Sequence, residues 1–156
     1  MIKAALVLGL SVSIASAWFA PRLGLGHDDS NNIDTSYVRD SKKDIVTDTK
    51  SSKMYHDATS SQKMNFPSAN KYCQDMAYLD YKNWRVPSKK ELRSVLELSR
   101  RGVTIKHAFK NIKEDIFWSS TEDDYKKAWY FDLDLGRYGS RKQTKEFYVF
   151  CVRDAK

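Results

Sequence analysis

Few of the residue types that usually carry chemistry are present. The 156-residue chain holds two cysteines and three histidines. His27 lies in a polar stretch near the N-terminus, and His56 and His107 stand alone. No histidine is close to Cys73 or Cys151 in sequence, so nothing marks either as an activated thiol. Ser119-Ser120 lacks the flanking glycines of a nucleophile elbow. There is no internal repeat. The sustained apolar run at residues 4–14 is too short and wrongly flanked for a secure membrane span. No catalytic constellation stands out, and the expectation is a protein that is not an enzyme, with no cofactor and no resident metal.

What is there begins with an export pattern. Lys3 supplies a charged start, residues 4–14 an apolar stretch, and Ala15-Ser16-Ala17 a small-residue cleavage site, so residues 1–17 read as a signal peptide. An uncleaved anchor is the alternative. Residues 18–43 turn polar after Trp18 and Phe19, lack periodicity and read as a tether. One folded domain is expected over 44–154. Its core is small, so a covalent staple would help. Export to an oxidising compartment favours pairing Cys73 with Cys151. Such a bond closes a long loop and, in the chain-entropy account, stabilises by roughly 4 kcal/mol. Two buried reduced thiols are the alternative.

The most informative segment is 83–99, NWRVPSKKELRSVLELS. Pro87 holds Val86 extended and cannot sit inside a helix. Ser88 then fits an N-cap, with Glu91 three residues on, which makes a capping box. Pro87 and Leu92 occupy the staple positions on either side. Leu92, Val95, Leu96 and Ser99 share a helical face, with the cations mostly opposite, which predicts a helix over 89–100 ended by Gly102. The planar fork of Arg85 suits a carboxylate or loop carbonyls. Trp84, Trp118 and Trp129 read as core aromatics.

Elsewhere the pattern predicts short strands at 44–48 and 53–56 around a turn. Phe66, Ala69, Tyr72, Cys73 and Met76 keep helical spacing over 66–77. Residues 101–114 form an irregular basic connection, and 116–119 a strand. Residues 127–135 alternate, with Trp129, Phe131, Leu133 and Leu135 on one side and Tyr130, Asp132 and Asp134 on the other. Gly136 and Gly139 frame a turn. Residues 147–153 close the chain as a strand, with Phe147, Val149 and Cys151 on one face and Tyr148, Phe150 and Val152 on the other. Two helices followed by an antiparallel sheet make the class α+β.

Charge is the chief functional signal. The formal net charge is +7, and removing residues 1–17 takes away one lysine and no acid. Lys89, Lys90, Arg93, Arg100, Arg101, Lys106, Lys110 and Lys113 crowd one stretch against Glu91 and Glu97. A second group, Arg137, Arg141, Lys142 and Lys145, surrounds the last hairpin, with Tyr125, Tyr130 and Tyr138 able to stack on sugar rings. Lys89, Lys90, Arg93, Arg100, Arg101, Arg137, Arg141 and Lys142 are the candidate ligand-binding residues. Such patches attract polyanions such as sulfated glycans, cell-wall polymers or lipopolysaccharide phosphates, or an acidic partner. The competing interpretation is a plain soluble basic surface.

Several segments together resemble the bacterial Lcl C-terminal domain family, also described as DUF1566. They are Val46-Thr47-Asp48, Ala69-Asn70-Lys71-Tyr72-Cys73, Asn83-Trp84-Arg85-Val86-Pro87-Ser88-Lys89-Lys90-Glu91-Leu92, Trp118-Ser119-Ser120-Thr121, Ala128-Trp129-Tyr130-Phe131-Asp132-Leu133 and Val149-Phe150-Cys151-Val152-Arg153. They follow the family order, with Asn83, Val86 and Phe150 departing from its pattern. The resemblance implies a C-type-lectin-like fold, two helices packed on a twisted antiparallel sheet with long irregular loops, related to the formylglycine-generating enzymes. It also implies a disulfide from the first helix to the last strand, the places of Cys73 and Cys151. In this light Trp84, Arg85, Pro87, Ser88, Glu91, Trp118 and Trp129 are structural. The copper-dependent chemistry of the formylglycine branch uses cysteines, and both here are better explained structurally. The Glu-Pro-Asn, Gln-Pro-Asp and Trp-Asn-Asp motifs of sugar-binding lectins are missing, so Glu122, Asp123 and Asp124 read as a solvated acidic loop rather than a Ca²⁺ site.

The expectation is therefore an exported binding or adhesion module, periplasmic or on the cell surface. Its expected partners are an anionic glycan or polysaccharide, or an envelope protein, with no nucleic acid and a membrane only if the signal segment stays uncleaved. The alternative is a structural or protein-partner subunit of an envelope complex.

Overall fold

The computed structural model describes residues 34–99 and 102–156. The expected signal peptide and the first part of the expected tether lie outside the described residues, as do Arg100 and Arg101. The elements run β1 Tyr37–Asp40, β2 Ile45–Asp48, β3 Lys53–His56, α1 Phe66–Asp75, α2 Lys89–Ser94, β4 Leu96–Ser99, β5 Gly102–Ile105, β6 Ile116–Asp123, β7 Lys127–Asp132, β8 Arg137–Lys142 and β9 Val152–Asp154. All named pairings are antiparallel. The sheets are β1-β2-β3-β9, the hairpin β4-β5 and β6-β7-β8. The class is α+β.

The last segment organises the interior. Residues 147–152 are extended, and their alternation divides the core in two. Phe150 and Val152 join Tyr37, Val46, Tyr55, Leu92, Val95, Phe109, Ile112, Phe117, Phe131 and Leu133, with Tyr148 packed against them. Val149 and Cys151 join Ile45, Met54, Phe66, Ala69, Cys73, Trp84, Val86, Trp118 and Ala128, with Phe147 alongside. The period-two pattern expected for this segment thus feeds two apolar clusters rather than one buried and one wet face. Only its end is a regular strand, β9; the rest makes single bridges, Met64 with Phe147 and Phe117 with Tyr148.

The disulfide between Cys73 and Cys151 ties α1 to this segment, with Cα atoms 5.6 Å apart. The Asn65 carboxamide caps α1 by accepting from the Ser68 N–H at 3.0 Å, and Pro67 sits in the first turn, where its missing N–H is no loss. Trp84 and Trp118 are buried, and each indole N–H has a carbonyl, Tyr81 at 3.1 Å and Met64 at 2.8 Å.

Four expectations need correction. The expected tether contains β1, which pairs along its length with β2, because Tyr37 brings an aromatic ring into the first core cluster. The helix expected over 89–100 stops at Ser94. Leu96-Glu97-Leu98-Ser99 alternates with period two and faces the β-branched run Val103-Thr104-Ile105 across a hairpin, with Leu96 opposite Ile105 and Ser99 opposite Gly102. Gly102 therefore opens a strand instead of closing a helix. The connection expected to be irregular at 101–114 begins with that strand, β5. Finally, Gly136 has φ of 60° in the turn, as expected, but Gly139 lies inside β8, opposite Tyr130. A Cβ at Gly139 would sit 3.1 Å from the Tyr130 hydroxyl, so the ring rests on bare backbone.

Candidate functional site

The residues around α2 are locked from three directions. The Ser88–Glu91 capping box is formed in full. The Arg85 guanidinium donates to both oxygens of Glu91, at 2.7 and 2.6 Å, the bidentate pairing its planar fork favours. Burial raises the Glu91 carboxyl, but Arg85 and the Ser88 N–H outweigh it and bring its pKa down to about 2. Backbone bonds of 2.9 and 2.8 Å join Arg85 to Val152 in both directions. The Trp118-Ser119-Ser120-Thr121 segment completes the frame. The Ser120 N–H donates to the Pro87 carbonyl at 2.8 Å, and the Thr121 hydroxyl accepts from the Lys89 N–H at 2.9 Å. Buried Ser119 accepts from the Thr121 N–H at 3.1 Å. These residues hold loops together, and Arg85 and Glu91 have each other as partners.

This frame fixes where the side chain of Lys89 goes. Its Nζ lies 3.1 Å from the ring centre of Trp129 and 5.1 Å from that of Tyr138. Trp129 is half-buried, not a core residue as expected, and Tyr138 is 53% exposed. The two rings stand 6.0 Å apart, and Tyr138 stacks on buried Phe131 at 5.4 Å. Trp129 is opposite Ser140, and Phe131 opposite Tyr138, across β7 and β8. Tyr138, Ser140 and Lys142 therefore share the sheet face that carries Lys89. Arg137 and Arg141 alternate to the other face, where Arg141 lies 5.3 Å from the Tyr130 ring. The second basic group expected around the last hairpin is thus split between faces.

Lys90, Arg93, Arg137, Arg141 and Lys142 are exposed. Among the described residues none of them, nor Lys89, forms an ion pair. Other cations are engaged. Lys106 meets Asp34 at 2.5 Å, Lys63 meets Asp115 at 3.0 Å and Lys71 meets Asp75 at 2.6 Å. Lys106 thus belongs to a structural contact rather than to an open patch. It also holds the Asp34 carboxyl well below the usual range.

Sequence reasoning missed Asp57. Its side chain is fully buried after β3 and accepts from Arg39, from the Lys110 N–H at 3.2 and 3.0 Å and from the Asn111 N–H at 3.2 Å. Arg39 also reaches Asp44 at 2.7 Å. One carboxylate so joins β1, the end of β3 and the loop after β5. A lone aspartate after a strand carries no periodic signal that would mark it.

The acidic run is loosely arranged. Glu122 accepts from the Gln143 side chain at 3.1 Å, and a Ser140 hydroxyl bond lowers the Asp123 carboxyl. Among the described residues, no group of three or more His, Cys, Asp or Glu side chains is placed to hold a metal ion. No helix among them is long and apolar enough to cross a membrane. A groove of about 440 Å³ along α1 is lined by Met64, Ser68, Lys71, Tyr72, Asp75 and Glu146 among others.

Set against known proteins, residues 37–153 match the family described as the Lcl C-terminal domain. The matched range begins at β1, within the segment expected to be a tether. No curated protein matches the chain.

Proposed function

The chain belongs to the Lcl C-terminal domain family, and from that premise we propose that it is an exported, non-enzymatic binding module that takes an anionic glycan or envelope polymer on its basic surface. The observation that carries this reading is the division of its cations. Arg39, Lys53, Lys63, Lys71, Arg85 and Lys106 pair with carboxylates of the same chain. Lys89, Lys90, Arg93 and Lys142 pair with none among the described residues, and they lie on α2 and on the sheet face next to it. Unpaired cations such as these four hold diffuse counter-ions, which a polyanion displaces at little cost.

The finer fold assignment, C-type-lectin-like, belongs to the same proposal. It is supported by the disulfide from the first helix to the last segment and by the long connections around small antiparallel sheets. Export is supported by the charged start, apolar stretch and small-residue site of residues 1–17 and by the cysteine pair.

The test is binding of a sulfated polysaccharide across salt concentrations. Binding is expected to weaken as salt rises and to be lost in Lys90→Glu/Arg93→Glu and in Arg100→Glu/Arg101→Glu variants. Salt-insensitive copurification with an envelope protein, and no polysaccharide binding, would favour a protein-partner subunit instead.

A further inference from the structure

Three tyrosines are near the basic residues in sequence, and the fold separates them. Tyr125 sits at the tip of the β6–β7 hairpin with φ of 57° and 89% of its surface exposed. Tyr130 lies on the far face of its sheet, half-buried against Phe147 at 5.3 Å and over Gly139. Only Tyr138 combines an exposed ring, rigid support from Phe131 beneath it, and a lysine amine within reach. Ser140 and Lys142 extend the same face toward the end of β8.

We infer that Lys89, Trp129 and Tyr138 form a preorganised subsite for an acidic group carried on a sugar ring, the amine taking the sulfate, phosphate or carboxylate and Tyr138 the ring. This rests on the anionic-polymer reading and gives it a chemical selection. Charge alone does not tell a glycan from any other polyanion. An exposed ring beside the cation does, because the apolar face of a pyranose covers an aromatic surface and a bare phosphate chain has no such face. The amine is held before the ligand arrives. Its backbone N–H is fixed by Thr121 and its Nζ rests over the indole. The rotamer freedom a surface lysine normally loses on binding is therefore already lost in the free protein. A cation–π contact leaves the ammonium hydrogens that point away from the ring free to donate to an anion.

The experiment compares two probes of matched charge, a heparin-derived oligosaccharide and linear polyphosphate, with the full-length protein and its variants, by calorimetry. Tyr138→Ala is expected to weaken the oligosaccharide by roughly tenfold, the loss of one aromatic contact, and polyphosphate by less than twofold. Tyr138→Phe keeps the ring and should bind both as the native protein does. Lys89→Met should weaken both probes. If Tyr138→Ala melts as the native protein does and weakens both probes equally, or neither, the subsite is overturned while the basic-surface reading stands. If Tyr138→Ala does not fold, a tighter affinity of the native protein for the oligosaccharide, lost in Lys89→Met, supports the subsite; equal native affinities overturn it. If the native protein binds neither probe, both the subsite and the reading beneath it fail.

Discussion

The Lys89 amine rests 3.1 Å from the centre of the Trp129 ring, and the Lys89 backbone N–H donates to the Thr121 hydroxyl. One residue thus joins the start of α2 to β7 through its side chain and to β6 through its backbone. A half-buried cation–π pair of this kind contributes about 1 kcal/mol. Lys89→Met is expected to lower the urea-unfolding free energy by about that amount with an unchanged slope. Lys90→Met, on the exposed side, should leave it unaltered.

The bidentate Arg85–Glu91 pair sets an acid limit on stability. The Glu91 carboxyl titrates near 4.5 when unfolded and at about 2 in the folded chain. Its contribution is therefore complete above pH 4.5 and lost as pH falls from there toward 2, and for this partly buried group it amounts to about 3 kcal/mol at most. His56 acts at higher pH. Burial against Tyr78, 4.1 Å away, pushes its imidazole below the usual 6.5, so protonation opposes folding and stability falls as pH drops below that value. A pH series of melting temperatures should show both declines. Glu91→Gln should remove the lower one, and His56→Gln the upper.

Asp57 is the buried anion on which three segments depend. Asp57→Ala would leave the Lys110 and Asn111 N–H groups without their acceptor and Arg39 without its buried partner. A loss of roughly 3–5 kcal/mol is expected, in line with breaking a buried pair from one side. Denaturant unfolding measures this directly. Asp57→Asn keeps one acceptor oxygen and should lose less.

The disulfide spans 78 residues. Cys73→Ser/Cys151→Ser is expected to lower stability by roughly 4 kcal/mol. Mass mapping without reductant should recover the two cysteines in one linked peptide pair. Recovery of both as free thiols would contradict the pairing.

Local signals were legible where a few neighbouring residues decide the outcome. Pro87, Ser88 and Glu91 announce their cap, and the structure forms it. The alternation of residues 147–152 is equally plain, though its two faces enter two clusters. The signal failed where distant partners decide. Leu96 suits a helix face by spacing, yet pairing with Ile105 makes it a strand. β1 carries little sequence signal because its flanks are polar and only Tyr37 is buried in it. Trp129 reads as core by its residue type, whereas Lys89 and Tyr138 make it one wall of an open surface. Arg141 and Lys142 are adjacent in sequence and opposite in space, which strand geometry alone would reveal once β8 is recognised.

The central claim is that the unpaired cations of α2 and the neighbouring sheet face make the binding surface. It is tested most directly by titrating a sulfated polysaccharide into the native protein and into Lys90→Glu/Arg93→Glu at two salt concentrations. The account predicts salt-sensitive binding by the native protein and none by the variant, with equal melting temperatures. Equal binding by both proteins, unaffected by salt, would contradict it.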